Sequence, residues 1–265
     1  MRIPKVIAVD LDGTLLQNGA MTLNDNTCGL MHELHEKYGT LFVPTSGRQY
    51  SNLQILFEPI KDEIAYICEN GCLTFVNGKL IHQEVMKRED GEELIRAIQE
   101  RDGCDVLLSG IHTSYLCTED QDYIELMSEG LRNSLTLLDD IFSTTEPYFK
   151  IAVYEKAGLS DTNYWKEWFG SRFNVVASGL CWLDFMPKHV SKESGLRALS
   201  EYLKIAPEDM MAFGDHENDR EMMDFVGCPI AVDNAIEEIK AKSLFTTDLV
   251  EHSLERILSG EGYDW

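Results

Sequence analysis

Four apolar residues, Val6–Val9, run without interruption into Asp10. So short a run, rich in β-branched side chains and ended by acids, predicts a strand buried in a parallel sheet that delivers a loop at its C-terminal end. Ligands bind at such ends. Over 24–38 the apolar positions Cys28, Leu30, Met31 and Leu34 recur at helical spacing behind an Asn or Asp cap, and Gly39 supplies the stop. A second short strand is expected over 41–43. Pro44 cannot donate to a ladder, so the chain should pass there into a loop, Thr45-Ser46-Gly47-Arg48. A helix over 50–57 and strands over 64–68 and 73–76 follow, and Asn77-Gly78 is a hairpin signal.

Beyond His82 the rhythm changes. The pattern predicts helices over 90–101, 120–129 and 160–169, with strands over 104–109, 113–117, 149–154, 173–178 and 181–185. Strands in direct succession imply an antiparallel sheet with helices on one face, a separate α+β unit. From Ser191 the strand–helix alternation returns, with helices over 191–203, 217–224, 235–241 and 249–258 and strands over 210–213 and 229–232. The economical reading is an α/β fold: a discontinuous Rossmann-like parallel-sheet core over 1–82 and 187–265, with an inserted α+β domain over 83–186.

Composition narrows the partners. Hydrophobic residues at 44% and charged residues at 26% are ordinary globular values. The 46 acidic against 23 basic residues give a formal net charge of -23, which repels nucleic-acid backbones and anionic lipid, so neither is expected as a partner. An acidic chain that handles anions needs a local correction, either a divalent metal or a few placed cations. The N-terminal stretch, broken by Asp10 and Asp12, reads as neither signal peptide nor membrane span, and a cytoplasmic protein is expected. Seven cysteines without a Cys-x-x-Cys pair suggest reduced, mostly buried thiols. Oligomeric state is left open.

The most informative segment is Asp10-Leu11-Asp12-Gly13-Thr14-Leu15, where two carboxylates two apart follow a strand and a glycine permits a sharp turn. Both can face one ligand. An ionised Asp10 beside a metal is a plausible nucleophile toward phosphorus, while Asp12 can protonate a leaving oxygen and later activate water. The plain alternatives are a capped turn or the metal-binding Asp-x-Asp pair of glycosyltransferases. A second cluster, Gly214-Asp215-His216-Glu217-Asn218-Asp219, again follows an apolar strand. Its aspartate can reach the same metal, and an all-oxygen ligand set suits Mg²⁺ better than zinc. Read alone it is also a helix cap with a solvated acidic turn. Ser46 offers a hydroxyl at another strand end, and Lys192 stands in the first turn of a helix, where a cation opposes the local dipole unless it points at a bound phosphate.

In order and spacing these four segments resemble the haloacid dehalogenase superfamily, specifically its Cof-type phosphatases with a large inserted α+β cap. The matching residues are Asp10-Leu11-Asp12-Gly13-Thr14, Ser46-Gly47-Arg48, Lys192, and Gly214-Asp215 with Asn218-Asp219. The resemblance covers nearly the whole chain. It implies Asp10 as nucleophile and Asp12 as acid/base, with Mg²⁺ held by the side chains of Asp10 and Asp215 and the main-chain carbonyl of Asp12. Ser46, Gly47, Lys192 and the amides around Leu11 would hold the phosphoryl group, with Asn218 beside it and Asp219 supporting the metal or Lys192. Asn70-Gly71 and Asn234-Ala235 look like family loops, although Asp233 stands where a glycine is common. The implied substrate is a small phosphorylated metabolite, a sugar phosphate or a phosphorylated cofactor. A hexose-phosphate mutase would use the same Asp10, and a phospho-ligand-binding module could keep the fold without turnover. Lys150, Lys188 and His189 could face the site or be ordinary solvated residues, while His32 and His35 are expected on a helix surface.

Overall fold

The computed structural model describes residues 2–265. In chain order its strands are β1 (Val6–Val9), β2 (Leu41–Pro44), β3 (Tyr66–Cys68), β4 (Leu73–Val76), β5 (Lys79–Gln83), β6 (Cys104–Ser109), β7 (Ser114–Leu116), β8 (Leu135–Leu137), β9 (Lys150–Glu155), β10 (Phe173–Ala177), β11 (Trp182–Pro187), β12 (Met210–Gly214), β13 (Cys228–Val232) and β14 (Phe245–Thr247). Its α-helices are α1 (Thr27–Tyr38), α2 (Tyr50–Leu56), α3 (Arg88–Gln99), α4 (Gln121–Glu125), α5 (Thr162–Phe169), α6 (Lys192–Leu203), α7 (Arg220–Phe225), α8 (Glu237–Lys242) and α9 (Val250–Leu258).

Five strands form a wholly parallel sheet in the order β14-β13-β12-β1-β2. The chain leaves β1 in one direction for β2 and later returns on the other side at β12, so a crevice opens between β1 and β12 at their C-terminal ends. Register decides what meets there. Val9 pairs with Phe213 on one side and Pro44 on the other, so Asp10, Gly214-Asp215 and Thr45-Ser46 emerge together. Pro44 closes β2 instead of falling outside it. The Thr45 N–H donates to the Val9 carbonyl at 2.9 Å, so the Pro44 nitrogen points away from β1 and that pair loses no bond. A smaller antiparallel sheet, β3-β4-β5, turns at Asn77-Gly78, both at positive φ as a tight hairpin requires.

The middle of the chain forms a third sheet, β10-β11-β9-β6-β7-β8. It departs from expectation twice. β8 pairs parallel to β7, so the sheet is mixed; three residues carry too little alternation to announce such a strand, and the same holds for β14. Helices also lie on both faces, not one. α3 and α5 bury Leu94, Ile98, Trp165 and Phe169 against Val153, Leu183 and Phe185. On the opposite face Tyr123 of α4 and Met127 of the single π turn that continues it, Leu126–Gly130, cover Leu107, Ala152 and Tyr154. Strand alternation sends apolar side chains to both faces, and the second set needs its own cover.

The seven cysteines are free; Cys68, Cys72 and Cys228 are buried, Cys28, Cys104 and Cys181 half-buried and Cys117 exposed, so fewer are buried than expected. No helix among the described residues is long and apolar enough to cross a membrane.

One close approach locks the small sheet to the helix that carries Lys192. Gly71 has φ +105°, and a Cβ there would lie 1.9 Å from the Ser191 carbonyl oxygen. Gly71→Ala is therefore expected to cost at least about 2 kcal/mol of stability, from steric overlap and a left-handed backbone together. Denaturant melts against the unsubstituted protein measure it, and an unchanged midpoint would refute the contact.

Candidate active site

Three buried aspartates converge where β1 and β12 end. Carboxylate oxygens of Asp10, Asp215 and Asp219 lie within 4.8 Å of one another. Lys192, 1% exposed, reaches between them from the first residue of α6, donating to Asp10 Oδ1 and, at 2.6 Å, to Asp219 Oδ1. The helix start is held locally: the Ser191 N–H donates to Ser194 Oγ at 3.1 Å, so the direction of Lys192 is set by the cap.

The oxygens are not equally engaged. Asp219 Oδ2 accepts from the backbone N–H groups of Asp215 at 2.8 Å and His216 at 3.1 Å, which occupies that oxygen, while Oδ1 accepts from Lys192. Asp219 thus orients Lys192 and the 215–216 loop. Asp215 Oδ1 accepts from Thr14 Oγ1 at 3.0 Å. Asp215 Oδ2 comes so close to Gly13, at φ +100°, that a Cβ there would stand 2.3 Å away. Only glycine leaves room for it.

Three carboxylates against one ammonium leave an excess of two negative charges in a buried place, which is costly unless a cation answers it. Burial pushes the Asp10 carboxyl well above its ordinary range, Asp219 and Asp215 push the same way, and Lys192 opposes. Burial and then Asp219 also raise Asp215. Burial alone would lower Lys192, but Asp10 and Asp219 outweigh it and keep the ammonium charged. The donors left over are hard oxygens of Asp10 and Asp215. Their chemistry and the excess charge fit a divalent cation such as Mg²⁺.

Asp12, two residues along, stands at the rim. Its side chain is 56% exposed and is chelated by Arg48, through Nε at 2.9 Å and a second nitrogen at 2.5 Å. Ser46 is buried, its hydroxyl accepting from the Arg48 N–H at 3.3 Å. The N–H groups of Leu11, Asp12 and Gly47 find no protein acceptor among the described residues and are left for a ligand. Asn218 Nδ2 lies 3.5 Å from Asn70 Oδ1, and Asn234 Nδ2 braces the Gly13 carbonyl at 2.8 Å.

The structure therefore brings Asp10, Asp12, Ser46, Gly47, Asp215 and Asn218 around one cavity of about 630 Å³, with Lys192 and Asp219 directly behind. Lys188 and His189 lie elsewhere, bonded to the Gly170 carbonyl and to Glu84. His32 is exposed and pairs with Glu63, whereas His35 is half-buried and bonds the Thr40 carbonyl.

Lys150 does belong to the cavity, inside a network that reasoning on sequence missed. It is buried, donates to the Gly47 carbonyl at 2.6 Å, and pairs with Glu69 at 2.8 Å and Asp184 at 3.5 Å. Ser109 donates to Glu69 and Asn70 to Asp184. A signal existed: a polar residue closes β6 at Ser109, another opens β9 at Lys150, and Asp184 interrupts the apolar run of β11.

A family model described as haloacid dehalogenase-like hydrolase matches residues 7–253. The chain is 26% identical over 247 residues to the 5-amino-6-(5-phospho-D-ribitylamino)uracil phosphatase YbjI of Escherichia coli, covering 91% of this chain and 89% of the relative. It is 28% identical to the HMP-PP phosphatase of Cronobacter sakazakii, covering 89% and 86%. Among solved structures, a haloacid dehalogenase-like hydrolase from Bacteroides thetaiotaomicron superposes with a TM-score of 0.83 at 22% identity, over 96% of this chain and 99% of that one, a likeness of fold.

The electrostatics generate a pH test. Asp10 and Asp215 are raised in the folded chain, so without metal their contribution to stability is fully present below the ordinary carboxylate range and is lost as pH rises through the raised values. A divalent cation favours the deprotonated forms and removes that cost. Added Mg²⁺ is accordingly expected to raise the melting temperature more at about pH 7.5 than at about pH 5. An increment equal at both would exclude this pair as the metal ligands.

Proposed function

The chain belongs to the haloacid dehalogenase-like hydrolase family, and on that footing we propose that it is a Mg²⁺-dependent phosphatase that hydrolyses small phosphorylated metabolites through an aspartyl-phosphate on Asp10. One observation carries the reading: a buried carboxylate, Asp10, is held by a buried ammonium, Lys192, at the closed end of a cavity with a second carboxylate, Asp12, at its rim. The relatives' names, each a phosphatase of a small phosphorylated compound, support the same class.

The side chains of Asp10 and Asp215 and the main-chain carbonyl of Asp12 would hold the metal. When bound, Mg²⁺ supplies positive charge to the oxygens of the transferring group. The protein does the rest. Lys192, Ser46 and the free N–H groups of Leu11 and Gly47 hold and orient the phosphoryl group, with Asn218 beside it. Asp10 attacks phosphorus as the bond to the leaving oxygen breaks, and Asp12 gives that oxygen its proton. In the second half Asp12 takes a proton from water, which attacks the acylphosphate and releases inorganic phosphate. Asp219 keeps Lys192 in place throughout.

Arg48 bears on this cycle. For Asp12 to reach the leaving oxygen, its pair with Arg48 has to open. With Asp12 more than half exposed, such a pair is worth about 1 kcal/mol or less, so opening costs little. The insert over 83–186 supplies the wall opposite Asp10 and selects the leaving group, while 1–82 and 187–265 carry the chemistry.

The test is phosphate release from a panel of phosphorylated sugars, nucleotides and cofactors, with and without Mg²⁺. Asp10→Asn is expected to lower turnover at least about a thousandfold, and Asp12→Ala by about 10²–10⁴, with unchanged melting behaviour for the exposed Asp12. Retention of most activity in Asp10→Asn would end the nucleophile assignment. An isomerised sugar phosphate in place of inorganic phosphate would make the enzyme a mutase.

A further inference from the structure

The loop proposed to hold the phosphoryl group, 46–48, is tied to the core at two of its three residues. The Ser46 N–H donates to the Ile67 carbonyl at 3.0 Å, and the Ser46 carbonyl accepts from the Asn70 N–H at 2.9 Å. The Arg48 carbonyl accepts from the Glu69 N–H at 3.2 Å. Gly47, between them, takes no part in this ladder. Its N–H is left for a ligand, and its carbonyl has no backbone donor among the described residues. Glycine is also the residue with the most conformational freedom, so the direction of that N–H needs a restraint from elsewhere.

The restraint comes from the insert. Lys150, the first residue of β9, is buried and donates to the Gly47 carbonyl at 2.6 Å. Glu69 stands at 2.8 Å and Asp184 at 3.5 Å from the same ammonium. Three protons therefore meet three protein acceptors, and the ammonium is committed to the seam. Burial alone would lower Lys150, but Asp184 and Glu69 outweigh it and keep the charge. Register sets the placement: Ser109 of β6 pairs with Lys150, and its hydroxyl holds Glu69 at 3.0 Å.

Asp184 extends the same connection to a second group. Its Oδ2 accepts from Asn70 Nδ2 at 2.8 Å, and Asn70 Oδ1 faces Asn218 Nδ2 at 3.5 Å. The Asn70 carboxamide also stands against Gly47, where a Cβ would lie 3.1 Å from Nδ2. Two strands of the insert thus reach two groups proposed to meet the phosphoryl oxygens. β9 reaches Gly47 through Lys150, and β11 reaches Asn218 through Asp184 and Asn70.

We propose that Lys150 is a positioning residue for phosphoryl transfer: by holding the Gly47 carbonyl it directs the Gly47 N–H at the transferring group, so the inserted sheet completes a phosphate site built on the core. This rests on the phosphatase reading. Lys150 acts through Gly47 and not on the leaving group, so its loss is felt equally whatever the leaving group is.

Lys150→Met alone would leave two buried carboxylates without a cation. The test therefore combines it with Asp184→Asn, which keeps an acceptor for Asn70. Glu69, whose carboxyl burial already raises, can then take a proton, and no charge is stranded. Asp184→Asn by itself is the reference, because it leaves Lys150 on the Gly47 carbonyl. Turnover of acetyl phosphate and of glucose 6-phosphate is measured where each protein is folded. The affinity for orthovanadate, which mimics five-coordinate phosphorus, is measured with Mg²⁺ by calorimetry and does not depend on the folded fraction. Relative to the reference, the double variant is expected to lose at least about tenfold in kcat on both substrates by the same factor, with KM within about threefold, and to bind vanadate at least about tenfold more weakly. An unchanged vanadate affinity would make Lys150 merely structural and overturn the proposal. So would a loss confined to glucose 6-phosphate, which marks a leaving-group contact, or a reference variant as impaired as the double. Calorimetry needs no turnover, so an unsubstituted protein that hydrolyses neither substrate would count against the phosphatase reading while the vanadate comparison still judges the hold of Lys150 on the site.

Discussion

The architecture turns on one buried ammonium. Lys192 sits between Asp10 and Asp219 with essentially no access to water, and burial of that kind is repaid only when each charge finds partners and each remaining lone pair is satisfied. Asp219 meets the condition, its second oxygen taken by two backbone N–H groups. Asp10 and Asp215 do not meet it entirely, and the excess negative charge left there is the chemical opening of the site. The contact also imposes a topology. Asp10 and Lys192 are 182 positions apart, so the chain has to come back to the sheet it began, and whatever lies between has to close into a unit of its own.

A second buried lysine repeats the device at the seam with the inserted sheet. Lys150 leaves β9 and binds the Gly47 carbonyl, Glu69 and Asp184, joining two loops of the core to two strands of the insert. The loop it holds is unusual: Glu69, Asn70 and Gly71 all have positive φ, and two of the three pay for a side chain in that region. Such backbone persists only when its surroundings over-determine it. Here they include the Lys150 pair, the Ser109 hydroxyl on Glu69, the Asn70 bond to Asp184 and the contact of Gly71 with the start of α6. Both lysines therefore bear on the same few residues.

The convergence of the acidic residues was legible because its signal is local. An apolar strand ending in acids can be read at Asp10 and again at Asp215 without knowledge of pairing, and the register between β1 and β12 then brings the two ends together. Lys192 was legible only as a cation at the wrong end of a helix; its burial depends on partners far away in sequence. The Lys150 network was not legible for the same reason, since it needs the pairing of Ser109 with Lys150 and the neighbouring position of Asp184 on β11. The parallel pairing of β7 with β8 was not legible for a different reason, whereas the helix over 120–129 was legible and only the face it covers was not. A strand of three residues is too short for periodicity to distinguish, and the face a helix covers is decided by tertiary packing.

Charge bears on how the proposed work is divided between the two halves. A chain with a net charge of -23, and a cavity whose lining holds five carboxylates against Arg48 and Lys150, has no general attraction for a phosphorylated compound. In the proposed mechanism, affinity for the phosphoryl group comes from a few groups at one spot: Lys192, the free N–H groups of Leu11 and Gly47, and a divalent cation. That spot sits in the parallel core, where strand ends hold it rigid. In the proposed division of labour, selection of the leaving group falls to the inserted sheet, which turns both polar and apolar side chains toward the cavity. On that proposed reading phosphate capture and leaving-group choice lie on different sheets, and the second can vary, Lys150 and Asp184 apart, without disturbing the first.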